Sequence, residues 1–130
     1  MTDEELVDAF ESASLSAADF PHRAHVRVAW WYVRRYPLHE AIGRFASGLQ
    51  RFASTHGVPG LYHETITVAF LLVLADRLDD DTRRLAWDEF STLHADLLAW
   101  KPSVLDRYYT EATLWSDRAR RQFVMPDRVG

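Results

Sequence analysis

The sequence predicts an all-α protein: a bundle of five to seven helices around one buried helix at about residues 62–78. Three observations predict it. Apolar residues recur at helical spacing in the long segments, as at Leu38, Ile42, Phe45, Leu49 and Phe52. No segment alternates apolar and polar residues over strand length, and turn dipeptides of the hairpin type are few. Prolines, glycines and short polar residues fall where helices would begin and end. The 130 residues suit a single helical domain, 1–130, long enough to bury a core without cross-links.

The elements follow in order. Thr2 and Glu5 have capping-box spacing, and Leu6, Ala9 and Phe10 follow a helical period, so the first helix covers about 3–12. Ser16 with Asp19 predicts a capped single turn before Phe20. Pro21 suits the first position of a second helix, where its missing N–H costs nothing, and that helix runs to about 36. Pro37 closes it. The third helix is expected over 38–55, with Glu40 four residues before Arg44 in the favourable order. Gly57 stops it, and Val58-Pro59-Gly60 reads as a loop. The fourth helix is apolar nearly all round, from Ile66 through Phe70 and Leu71 to Leu74, which belongs at the centre of a fold. Asp79–Asp81 cap a fifth helix over 82–99 with its stripe at Leu85, Phe90, Leu93 and Leu97. Lys101-Pro102 breaks the chain. Ser103 with Asp106 caps a short helix through Tyr109, and a last one covers about 116–124 before Pro126.

Composition narrows the function classes. Without cysteine there is no disulfide framework, thiolate zinc site or cysteine nucleophile, so any metal must use nitrogen and oxygen ligands. A net charge of −4, from 15 basic and 19 acidic residues, argues against nucleic acid as the partner. The arginine clusters at 34–35, 83–84 and 118–121 have acidic residues close by and read as solvated helix faces. The first twelve residues lack the basic and apolar regions of a signal peptide, and the run Ile66–Ala75 is too short for a bilayer. The expected setting is the cytoplasm, with no membrane partner; the oligomeric state stays open. No nucleophile elbow, phosphate loop or dinucleotide fingerprint is present.

The chemistry concentrates at two expected helix starts. His22 and His25 are three residues apart and share a face of the second helix. His63 opens the fourth, followed by Glu64. The positive end of a helix keeps imidazole neutral, the form a metal ligand needs. Three nitrogens from His22, His25 and His63 would hold one divalent transition metal, with Zn, Fe(II) and Cu all compatible. Glu64 points about 100° away from His63 on a helix, so it is expected to orient a histidine or act as a base. H-x-x-H by itself is a short and common pattern, and a histidine placed like His63 is more often a capped, hydrogen-bonded core residue. The other histidines fit the site poorly: His39 is expected at the surface and His56 at a helix C-terminus, while His94, between Leu93 and Leu97, would join as a further ligand only by facing the core. Tyr108 and Tyr109, followed by Glu111, are packing with one satisfied hydroxyl, or place one phenol in the site as acid or orienting donor. The five tryptophans serve as inter-helix filler or line an apolar substrate pocket.

Three stretches carry a resemblance: FPHRAHVRVAW at 20–30, YHETIT at 62–67, and Ala119 through Asp127. They resemble a family of small bacterial all-helical proteins with an F-x-H-x-x-H-[VL]-R-[VL]-A-W … Y-H-E-T-[IL]-T signature. The resemblance implies that His22, His25, His63 and Glu64 belong together; it implies no substrate. In architecture the arrangement is also similar to DinB-like proteins, in which histidines from two helices hold one ion. Two functional readings follow. In one, the protein is a small metal-dependent enzyme acting on a small molecule, hydrolytic or lyase-type with Zn and oxygen-using with Fe or Cu, with Glu64, Tyr108 and Tyr109 as catalytic candidates. In the other, it is a non-catalytic binding or accessory module whose His/Glu network ties two helices together.

Overall fold

The computed structural model describes residues 1–128. Seven α-helices and no strand occur among the described residues: α1 (Asp3–Glu11), α2 (His22–Arg35), α3 (Leu38–Thr55), α4 (Glu64–Asp76), α5 (Trp87–Leu93), α6 (Glu111–Leu114) and α7 (Asp117–Arg121). The all-α class therefore holds. Single 3-10 turns at Ala17–Asp19, Pro59–Leu61, Thr82–Arg84, Ala95–Leu98 and Val104–Arg107 join them.

The polar residues at the helix ends explain most boundaries. The Glu5 N–H donates to the Thr2 hydroxyl (3.1 Å) while the Glu5 carboxylate accepts the Thr2 N–H (2.9 Å), which gives the expected capping box. α3 has the expected limits. At its end Gly57 takes φ +71°, its N–H donates to Ser54 O (3.0 Å), and the Val58 N–H donates to Ala53 O (2.8 Å). That is a Schellman ending, which needs a residue tolerant of left-handed backbone.

Other boundaries differ from the sequence reading. Pro21 is the extended residue before α2 rather than its first helical position. α4 starts at Glu64, because His63 adopts extended backbone and caps the helix. The fifth helix is not continuous. Ala86 is extended and His94 takes φ −117°, ψ 47°, so only Trp87–Leu93 forms α-helix, flanked by two 3-10 turns. The last helix is displaced toward the N-terminus and divided into α6 and α7, each opened by a side chain that accepts a backbone N–H, Thr110 and Ser116.

α4 packs against α2, α3 and α7, in keeping with a central position. Leu71 and Leu74 are fully buried, but Leu72 is 40 % exposed, so one side of the helix reaches solvent. α1 closes the far side. Phe10 is fully buried and lies so close to α3 that a Cβ at Gly48 would come within 2.3 Å of its ring. The Phe10 ring also packs against Phe20 and Phe45, at centroid distances of 5.3 and 5.7 Å.

Past α7 the chain runs as an extended strap. The Thr65 hydroxyl donates to Gln122 O (2.8 Å) and accepts the Val124 N–H (3.1 Å). The Tyr109 hydroxyl donates to Val124 O (2.7 Å), and the Asp127 carboxylate accepts from Thr110 and Thr113. The strap thus ties the start of α4 to α6. No helix among the described residues is long and apolar enough to cross a membrane.

Candidate functional site

The first turns of α2 and α4 face one cavity of about 520 Å³. α2 contributes His22, His25, Val26 and Ala29; α3 contributes Phe45, Leu49, Phe52 and Ala53; α4 contributes Ile66, Thr67 and Phe70. His63 and Tyr62, just before α4, complete that wall. The deep side is buried aromatic and aliphatic surface, whereas the mouth is rimmed by exposed apolar residues: Leu61 (70 %), Trp115 (48 %), Val58 and Trp100. No Asp, Glu, Lys or Arg side chain lines it.

The three histidines sit in different electrical surroundings. His25 stacks on Phe20 with ring centroids 3.9 Å apart. Burial, helped by the nearby His22, pushes its pKa down to about 4, against an opposing pull from the Phe20 carbonyl. Burial also lowers His22, opposed by the Leu97 carbonyl, and lowers His63, opposed by the Leu114 carbonyl. All three are uncharged imidazoles at neutral pH.

Their hydrogen bonds fix which nitrogen carries the proton. The Ile66 N–H donates to His63 Nδ1 (3.1 Å), so the proton lies on Nε2, which donates to Leu114 O (2.7 Å). Both ring nitrogens of His63 are therefore engaged. His22 Nε2–H donates to Leu97 O (3.0 Å), because a carbonyl only accepts, and Nδ1 is left as an acceptor.

This geometry bears on the metal expected from the sequence. A ligand nitrogen needs a free lone pair, and His63 has none in this arrangement. Among the described residues no three His, Asp or Glu side chains gather into a metal-holding group. The three expected ligands share one cavity without converging on one point. Their set, as it stands, does not fit a three-histidine site.

Glu64 is expected beside a histidine; instead its carboxylate accepts the Tyr62 hydroxyl, and burial, added to by that pairing, raises the Tyr62 pKa. Neither Tyr108 nor Tyr109 lines the cavity. Tyr108 is exposed, and Tyr109 is buried with its hydroxyl tied to the strap. Glu111 is exposed at the start of α6. His94 lies elsewhere as well: its Nδ1 accepts from Arg77 (3.0 Å), whose guanidinium makes two bonds to Asp96. His39 is exposed, and His56, at the end of α3, donates to Leu15 O (2.9 Å).

Of the tryptophans, Trp100 and Trp115 line the cavity, whereas Trp30 and Trp87 pack together in the core. Trp100 lies 5.0 Å from the His22 ring and Trp115 lies 5.4 Å from His63. Residues such as Phe52, Ile66 and Phe70 read in the sequence only as helix stripes; nothing in their spacing marks a cavity.

No protein-family model matches the chain, and neither a curated protein nor a solved structure matches it.

Proposed function

We propose that the protein binds a small organic molecule in the cavity between α2, α3 and the start of α4. The observation that carries this reading is the cavity itself: about 520 Å³, walled by apolar and aromatic side chains, with polar groups confined to a few neutral positions. Ligand sites have this size, roughly 300–1,000 Å³, and this make-up. The exposed apolar mouth adds to the argument, since contiguous apolar surface at a pocket entrance marks binding sites. His63 and Tyr62 form part of the wall, and the His63 bond to Leu114 O holds the start of α4 against α6.

Titration with the neutral apolar dye Nile red tests this. Saturable binding at one equivalent is expected, and it should be lost when Ile66→Trp fills the cavity in a protein that keeps its helical circular dichroism. Absence of saturable binding, or an unchanged isotherm in Ile66→Trp, would overturn the proposal.

A second reading retains an ion and, with it, the metal-dependent enzyme. It is supported by His22 and His25, neutral imidazoles on one face of α2. Membership of the bacterial helical family and the DinB-like placement of ligands belong to this reading. One equivalent of Zn, Fe or Cu in untagged protein, lost in His22→Ala and His25→Ala, would support it. Metal-free protein that gains none on incubation with each ion would end it.

A further inference from the structure

Polar groups are gathered at one end of the cavity. The starts of α2 and α4 supply them: His22 and His25 in the first turn of one, Tyr62 and His63 just before the other. Trp100 stands beside His22, with ring centroids 5.0 Å apart, and Trp115 stands beside His63 at 5.4 Å. Both indoles reach the mouth and meet edge to face, 6.5 Å apart at 88°. This collar offers bonds of both kinds. His22 Nδ1 accepts, since its Nε2–H is given to Leu97 O (3.0 Å), and each indole brings an N–H donor.

One turn further along both helices that capacity ends. α2 presents Val26 and Ala29, α4 presents Phe70, and α3 adds Phe45, all of them buried. These side chains hold no polar atom. Thr67, a turn before Phe70, spends its hydroxyl proton on His63 O (2.8 Å). A polar group of a ligand pushed down to this floor would lose its water and gain no side-chain partner there. The same group left at the collar keeps solvent, an acceptor and two donors within the rim. Aromatic surface, by contrast, is present at both depths, in Phe45 and Phe70 below and in Trp100 and Trp115 above.

From this, and resting on the small-molecule reading above, we infer that the cavity takes an amphipathic molecule tail first. Its apolar or aromatic body lies on the floor of Val26, Ala29, Phe45 and Phe70, and its single polar group stays at the collar of His22, Trp100 and Trp115. The position of the polar group, not that of an aromatic ring, sets the direction of binding.

Two isomers and a diol decide it. In para-butylphenol the hydroxyl is on the ring; in 4-phenylbutan-1-ol it ends the chain; the diol carries both. Isotope-filtered NOE spectra of each isomer with the labelled protein read the direction. The protons next to the hydroxyl are expected to contact the Trp100 and Trp115 indoles in both complexes. The opposite end, butyl in one and phenyl in the other, should contact the Val26 and Ala29 methyls. A ring that keeps one position in both complexes, or a hydroxyl end against Val26 and Ala29, overturns the inference. Equilibrium dialysis adds the second reading. With each affinity divided by the octanol–water partition coefficient, the diol should bind roughly fivefold or more weakly than either isomer, because one hydroxyl is buried without a partner. Equal corrected affinities overturn the one-ended class. If neither isomer binds saturably while Nile red does, this inference falls and the small-molecule reading stands; if Nile red fails as well, both fall.

Discussion

The first turns of α2 and α4 place the same residue type at the same kind of position, and the structure uses them differently. At α4, His63 caps the helix through Nδ1 and reaches across to α6 through Nε2, so neither nitrogen is spare. At α2, Pro21 precedes the helix without a side-chain cap, and His22 keeps an acceptor while tied at one nitrogen only. A histidine at a helix start is thus fully tied or keeps an open acceptor according to how many of its nitrogens the backbone takes. The residue name and its spacing do not distinguish the two.

Experiment can test the contrast between the two helix starts. If α4 is the framework, Leu71→Ala on its buried face should cost about 2–5 kcal/mol in urea unfolding, the usual range for large-to-small changes in a core. A cost within surface noise would remove α4 from the centre. His63→Ala loses a cap and leaves the Leu114 carbonyl unpaired, for about 2–4 kcal/mol. His22→Ala should cost about 1 kcal/mol while changing ligand binding. Equal destabilisation by the two would dissolve the distinction between a histidine tied at both nitrogens and one tied at a single nitrogen.

Acid stability gives the next measurement. The pKa of His25 is lowered to about 4 in the folded protein from 6.5. Between those values the unfolded chain binds the extra proton, so stability is full above about 6.5 and falls as pH drops toward 4. At about 1.4 kcal/mol per pKa unit the loss is at most about 3 kcal/mol, and His25→Phe should flatten that part of the profile. A profile as steep in the variant as in the parent would assign the slope to other groups. Thr65→Val removes both bonds to the strap for about 1–2 kcal/mol. Hydrogen exchange should then quicken at Val124 while α2 amides stay protected; uniform loss of protection would show that strap and α2 unfold together.

The parts of the fold that were legible in the sequence are those marked by residues with intrinsic backbone preferences. Pro37 and Gly57 bound α3, and Thr2 with Glu5 starts α1; each acts locally. The breaks at Ala86 and His94 carry no such mark, and the apolar stripe from Leu85 to Leu97 keeps its period across them, so the sequence reads as one long helix there. In the site, helical placement was enough to bring His22, His25 and His63 to one cavity. It could not show that His63 has its nitrogens filled from Ile66 and Leu114, since one of those partners lies 51 residues away. Val58, Leu61, Trp100 and Trp115 lie between or beyond the long helices, and only the tertiary fold brings them to the mouth.

The strap also has a consequence for how the molecule is made. His63 and Thr65 find their partners 51 and 57 residues further along the chain. On a translating ribosome the start of α4 therefore emerges long before Leu114, Gln122 or Val124 exists, and Trp115 is missing from the rim for the same interval. Through that interval the nascent chain shows an unclosed apolar hollow and a helix start lacking its long-range tie. Chaperones that read exposed apolar surface have their window there, and it closes when the last strap residues leave the exit tunnel.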